Sequence, residues 1–414
     1  MTRRGEDINA GPIAPGTEPI RSSVPKREID QRIGRLKRAM SRGGLYGALI
    51  VQTADLIYYA GTAQDAHLFV PVDGDPVLMV RKSYGRACDE SPLENIVAVT
   101  KLAMIADMVT SHARPEGLAL GMELDVLPVN NYTAYRTLLP EIDIQDVSPL
   151  IRRLRMVKSR YELERIKEAA NVNDRMFEQV AKILKPGMTE IGFAGRLEAF
   201  YRECGHQGYV RTRSFNQEVF YGHLMSGSNL ALAGSALGPT GGAGPHASFP
   251  QSAGLKTIER NEPVMVDYVG IHEGYMVDQA RIFSLGQLDE RFRQAHDTAL
   301  AIQEAAVRRG VPGTPVEELY FIALRIATDA GLGEHFMGSG SPVQFLGHGL
   351  GLELDEWPVV GRNSPHVLEQ GMVLALEPKF IFSGQGLAGI ENTFVVAEKG
   401  LERLTHFDDA IQTI

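Results

Sequence analysis

At 414 residues the chain is long enough for two domains at about 100–200 residues each. Its 44% hydrophobic and 22% charged residues are ordinary for a globular protein with a sizeable core. A formal charge of −9 excludes a general partnership with nucleic acid or with an anionic membrane. No apolar run approaches the ~18 residues of a membrane span, and none follows the basic start MTRR, so a soluble, cytoplasmic protein is expected. The cysteines Cys88 and Cys204 cannot build a disulfide framework or a structural zinc site.

Residues 1–25, with GPIAPGTEP and SSVP, read as a loose arm. From Lys26 the spacing of Ile29, Ile33, Leu36 and Met40 predicts a helix that Gly43–Gly44 stops. The runs YGALIVQ, LIYYAGT, HLFVPV, PVLMVRK, NIVAVT and LALGME then alternate with turns and helices, including a polar helix near 84–90. This is the pattern of an α/β domain over 26–150, and nothing in it looks catalytic.

A second domain is expected over 151–414. Ser159 and Glu162 have capping-box spacing ahead of a stripe through Leu163, Ile166, Ala169 and Ala170. Pro186–Gly187 ends that helix, and Thr189 caps another reaching about Gly205. Strands are expected at GYVRTRSF and EVFYGHLMS. Between 226 and 256 the chain is rich in Gly, Ala, Ser and Pro, the composition of a functional loop. It lacks the Lys-Ser/Thr ending of a phosphate loop, which excludes nucleotide binding there.

The stretch NEPVMVDYVGIHEGYMVDQAR (261–281) reads as two apolar strands around a turn, with one aspartate on each arm, Asp267 and Asp278. Bare charges in such runs are costly. Either the aspartates end their strands and cap turns, or they face one another and hold a proton or a cation. Helices at about 288–310 and 314–330 precede a β-rich section containing His348 in FLGHGLGL, Glu377 in VLALEPKF and Glu391 in AGIENTFVV. Singly, each is as readily a turn or strand-end residue as a ligand. Together, two Asp, one His and two Glu on apolar strands make an oxygen-rich, one-nitrogen set suited to divalent ions of the Mn, Fe, Co or Zn kind.

The pieces LRMVKSRYELERIKEAA, VMVDYVGIHEGYMVDQAR, GHGLGLELDEWP, GMVLALEPKF and GIENTFVV resemble the superfamily of methionine aminopeptidases, proline aminopeptidases and dipeptidases, and creatinases. The preceding α/β domain resembles its proline-peptidase and creatinase branch. The resemblance implies an α+β chain: a pita-bread catalytic domain after a smaller α/β domain. It places five metal ligands at Asp267, Asp278, His348, Glu377 and Glu391, holding two divalent ions per chain, manganese first among Mn, Fe, Co and Zn. The implied enzyme is a homodimeric Xaa-Pro aminopeptidase or dipeptidase that cleaves a small peptide or amide bond with a metal-bridging hydroxide. Glu377 doubles as general base.

Three positions depart from that pattern. Asp355 stands where a second histidine is usual seven residues after His348, Gln344 where another precedes it by four, and Gly389 where an arginine is common two before Glu391. An aspartate in place of a histidine favours a cationic group on the substrate. The piece LDEWP also resembles dimethylsulfoniopropionate lyases of the same superfamily, so a lyase or specialised hydrolase of a small cationic metabolite is the alternative. His246, in GAGPHASFP, corresponds to the family's upstream catalytic and substrate-binding histidine, and His223, in FYGHLMSG, is its rival for that place. The expected partner is a small molecule or short peptide.

Overall fold

The structure is a computed structural model that describes residues 24–112, 117–234, 238–340 and 342–414. The arm expected over 1–25 therefore lies, up to residue 23, outside the described residues. The chain divides between Leu154 and Arg155 into two compact units.

In the first unit, helix α1 (Lys26–Arg42) buries the expected stripe of Ile29, Ile33, Leu36 and Met40. There follow β1 (Leu45–Ile50), α2 (Thr53–Ala60), β2 (Ala66–Pro71), β3 (Val77–Val80) and α3 (Tyr84–Glu90). The unit continues through β4 (Ile96–Ala98), α4 (Leu102–Thr110), β5 (Ala119–Met122), α5 (Val129–Leu138) and β6 (Ile144–Asp146). One mixed sheet runs β4-β3-β2-β1-β5-β6, over a core that includes Tyr46, Leu49, Phe69, Met79 and Leu120. Helix α6 (Ser148–Met156) carries the chain past residue 154.

The second unit opens with α7 (Arg160–Ile183), α8 (Glu190–Glu203), β7 (Gly222–Ser226), β8 (Val264–His272) and β9 (Tyr275–Ser284). Ser159 and Glu162 form a complete capping box at the start of α7, and Thr189 caps α8. Next come α9 (Glu290–Arg309), α10 (Val316–Asp329), β10 (Phe345–Gly349), β11 (Glu356–Gly361) and β12 (Val373–Leu376). The chain ends with β13 (Lys379–Phe382), β14 (Gly386–Gly389), β15 (Asn392–Ala397), β16 (Gly400–Arg403) and β17 (Gln412–Thr413).

Two similar layers result. The sheet β17-β9-β8-β7 carries α7 and α8, and the sheet β11-β10-β12-β15-β16 carries α9 and α10. This is the pita-bread arrangement. The expected strand at GYVRTRSF is not formed, and of the one at EVFYGHLMS only β7 forms. Residues 209–221 are mostly irregular, tied by a single Val210–Val219 bridge.

The layers meet where Ala280 and Glu391 exchange backbone hydrogen bonds of 3.2 and 3.3 Å. Buried Arg281 locks that junction. Its guanidinium donates to the carbonyls of Ala280, Glu391, Phe407 and Asp408 and to the side chains of Asn392 and Asp409. A second buried charge cluster holds the turn after His348. Glu356 accepts from Arg155 Nη2 at 2.5 Å, Lys158 Nζ at 3.0 Å and the backbone N–H of Leu352 and Glu353. Burial opposes its charge, but Arg155 and Lys158 outweigh burial and hold the carboxyl at about 2.

That depressed pKa makes a stability prediction. The contribution of Glu356 is fully present above the ordinary glutamate range and is lost as pH falls from about 4.5 toward about 2, worth about 3 kcal/mol. Glu356→Gln is expected to cost about 3–5 kcal/mol at pH 7, by breaking a buried pair, and less and less against wild type as pH falls below 4.5. Trp357, the single tryptophan, lies next to the cluster and reports urea unfolding of this unit by fluorescence. A gap between variant and wild type that stayed constant from pH 7 to pH 3 would refute the assignment.

Candidate metal centre

The two aspartates lie in mid-strand, not at strand ends. The β8–β9 turn is the two-residue Glu273–Gly274, both at positive φ (47° and 84°), as a tight hairpin of the primed type requires. Asp267 faces Ala280 and Asp278 faces Val269, so the aspartates are diagonal neighbours on one face of the hairpin. Turn-capping is thereby ruled out for both. His348 sits on β10 opposite Ala375 of β12. Glu377 lies in the break that Pro378 makes between β12 and β13, with its N–H on Leu346 O at 2.9 Å. Glu391 occupies the junction with Ala280. All five candidate ligands are buried and line one cavity of about 260 Å³.

Their side chains have different nearest partners. Asp278, His348 and Glu391 bring one ligand atom each to within 4.8 Å of one another. Asp278 Oδ2 and His348 Nε2 are 3.9 Å apart. That is too long for a hydrogen bond and close to the span of two ligands on one ion, with bonds of about 2.0–2.2 Å. His348 Nδ1 donates to the carbonyls of Gly349 (3.0 Å) and Leu354 (3.1 Å), so Nε2 is the nitrogen available to a cation. Glu391 Oε1 is buried with no hydrogen-bond partner, a costly state for a carboxylate oxygen unless a cation meets it. The residues present therefore fit a divalent ion.

The other two candidates are engaged by a residue the sequence reading passed over. Lys379 Nζ donates to Asp267 Oδ2 (2.8 Å), Glu377 Oε2 (2.8 Å) and Glu391 Oε2 (2.9 Å). The signal lay within VLALEPKF: 377 and 379 are two apart on an extended run, so both side chains leave on one side.

Electrostatics follow from this packing. Burial, then Glu391 and Asp267, push the Asp278 carboxyl well above its usual range. Burial likewise raises Glu391 to about 8, despite the opposing charge of Lys379. Burial would lower His348, yet Asp355, Glu377 and Glu391 outweigh it and the net shift is upward. Burial would also neutralise Lys379, but its three carboxylates hold it firmly as an ammonium. A positive charge stabilises the ionised form of these acids, so a cation and protons compete for them.

The other candidates differ in whether they reach the cavity wall. His223, on β7 opposite Asp267, lines it, and burial pushes that imidazole below its usual range. His246 does not line the cavity. It is exposed, and its Nδ1 accepts from the Ser248 N–H at 3.2 Å. Of the two histidines expected for the catalytic and substrate-binding place, only His223 reaches the cavity, because the loop turns back after residue 246 and presents Ser248–Gln251 to it instead. That turn needs glycine: Gly244 has φ of +65°, and a Cβ there would lie 2.0 Å from Phe249 O. The loop is anchored at its base by buried Glu190, which accepts from Ser226, Asn229 and Gly254. Asp355 is a wall residue, its Oδ1 3.7 Å from His348 Nδ1.

Comparison with known proteins identifies the family. The model for "Metallopeptidase family M24" matches residues 164–398, and the "Creatinase/Prolidase N-terminal domain" model matches residues 32–157. The Xaa-Pro dipeptidase of Pyrococcus furiosus is 27% identical over 91% of this chain and 98% of its own length. That of Lactobacillus delbrueckii is 25% identical over 92% and 98%. The solved Xaa-Pro dipeptidase of Bacillus anthracis superposes with a TM-score of 0.79 at 25% identity, covering 93% of this chain and all of that one. The chain belongs to metallopeptidase family M24, with the pita-bread fold and the N-terminal domain of its proline-peptidase branch.

Proposed function

We propose that this protein is a metal-dependent peptidase that hydrolyses short peptides of the Xaa-Pro class. The observation that carries the reading is the buried Asp278, His348 and Glu391 set on the floor of a cavity, with one Glu391 oxygen left unpartnered. Relatives named as Xaa-Pro dipeptidases over nine-tenths of the chain support the substrate class. They do not favour a lyase of a cationic metabolite. The cavity, about 260 Å³, falls below the ~300–1,000 Å³ of drug-sized sites. That size suits a dipeptide rather than a long chain.

When bound, the ion supplies Lewis-acid polarisation of the scissile carbonyl and acidifies a water. Glu377, with Oε2 held by Lys379, carries the proton from the attacking water to the leaving nitrogen on its other oxygen. His223, kept neutral by burial, orients the substrate from the opposite wall. Asp355 meets the α-ammonium of the peptide, which accounts for an aspartate where the family pattern has a histidine. The two carboxylates and one imidazole suit Mn first, then Fe, Co or Zn. We take the enzyme as a cytoplasmic homodimer on the family resemblance; among the described residues no helix is long and apolar enough to cross a membrane.

Two assays test this. Chelation should abolish Xaa-Pro dipeptide hydrolysis and Mn²⁺ should restore it, while Glu377→Gln should lower kcat by about 10²–10⁴ with KM little changed. Chelator-resistant turnover, or a Glu377→Gln enzyme with wild-type kcat, would defeat the mechanism. Asp355→Asn should raise KM about tenfold for dipeptides with a free amino terminus and leave N-acetylated ones unaffected. Equal effects on both substrates would remove Asp355 from that role.

A further inference from the structure

We propose that the Lys379 ammonium takes the place of one of the two divalent ions, so that the centre binds a single metal at Asp278, His348 and Glu391. The inference rests on the metal-dependent reading above and settles how many ions that reading needs. Three observations carry it. First, an ammonium has three protons, and Lys379 places all three on carboxylates of the expected ligand set, at 2.8, 2.8 and 2.9 Å. It has no donor left for substrate, so it is a positioning residue that neutralises charge and fixes the carboxylates. Second, Glu391 is divided between two cations: Oε2 accepts from Lys379, while Oε1, buried and unpartnered, is left for the ion. Third, Asp267 and Glu377 stand outside the trio whose ligand atoms converge.

The strand pair around Lys379 makes room for it. Lys379 faces Gly389 across β13 and β14. A Cβ at residue 389 would lie 2.4 Å from Pro378 O, 2.7 Å from Lys379 Cα and 3.0 Å from Lys379 Cγ. Gly389 is the position where the family pattern favours arginine. In this chain the cation comes from the facing strand and points inward, and the residue opposite is reduced to a hydrogen atom. Charge agrees. Four buried carboxylates face one ammonium, and one divalent ion leaves a single net negative charge beside a neutral His348. A second ion would have to expel a buried ammonium or sit against it.

The test is metal content and magnetic coupling in the full-length protein. Wild type, loaded with excess Mn²⁺ and desalted, should hold about one ion per chain by mass spectrometry and show the six-line electron paramagnetic resonance spectrum of isolated Mn²⁺. Lys379→Gly, shown to be folded by circular dichroism, should hold about two ions with the exchange-broadened multiline spectrum of a coupled pair. Lys379→Arg, which keeps the cation, should stay at one. If Lys379→Gly does not fold without metal, refolding it in Mn²⁺ should recover a two-ion protein, and a one-ion product would overturn the inference. Two coupled ions in wild type, or one ion in a folded Lys379→Gly, would also overturn it while leaving the peptidase reading intact. A wild-type protein that holds no ion yet turns over Xaa-Pro dipeptides would overturn both.

Discussion

Four carboxylates are buried together where two sheets meet, and the rest of the catalytic unit is arranged around making that tolerable. Lys379 ties Asp267 on β8, Glu377 at the β12–β13 break and Glu391 at the β14–β15 junction to one nitrogen. The outermost of those three acids, Asp267 and Glu391, are 124 positions apart in the chain (391 − 267). An unpaired buried carboxylate costs several kcal/mol, so the ammonium acts as a joint between layers as well as a countercharge. Arg281 performs the complementary task one residue beyond the Ala280–Glu391 bridge. It saturates the backbone carbonyls at the same junction and so fixes where the Glu391 side chain emerges.

Buried acids in this unit fall into two kinds. Glu190 is surrounded by N–H and O–H donors and Glu356 by N–H donors and two cations, and each fastens a loop: the glycine-rich stretch beyond residue 226 and the turn that carries Asp355. Such acids are satisfied and inert. Asp278 and Glu391 share their surroundings with other acids and one ammonium, and Glu391 keeps an oxygen with no partner. The contrast separates scaffold from site on physical grounds, without reference to sequence position.

Much of this was legible in the sequence. Alternating apolar runs, the Ser159–Glu162 capping box and the helical spacing from Ile29 to Met40 are local signals, and local signals survive into the structure. The five candidate ligands stood out because a charge in an apolar strand needs a reason. Lys379 was harder to see. Nothing local marks this lysine as buried, and its inward stem shows only in its burial and its three carboxylate partners. The choice between the two histidines was hidden for a different reason. Whether His223 or His246 reaches the cavity depends on how residues 226–256 double back, which glycine makes possible but periodicity does not encode. The unformed strand at 208–215 shows the same limit: beyond the isolated Val210–Val219 bridge its residues, such as exposed Phe215, join no sheet.

A tethered ammonium differs from a metal ion in one respect that reaches beyond the site. An ion has a dissociation constant and leaves when its free concentration falls; a side chain has none, and its effective concentration at the carboxylates is set by four methylene groups. Asp267 and Glu377 are therefore held in register whether or not the surroundings contain metal. An ion held by the neighbouring trio could then leave and return without the two layers coming apart. In a metal-poor setting the protein would wait as a folded, inactive form rather than as an unfolding one.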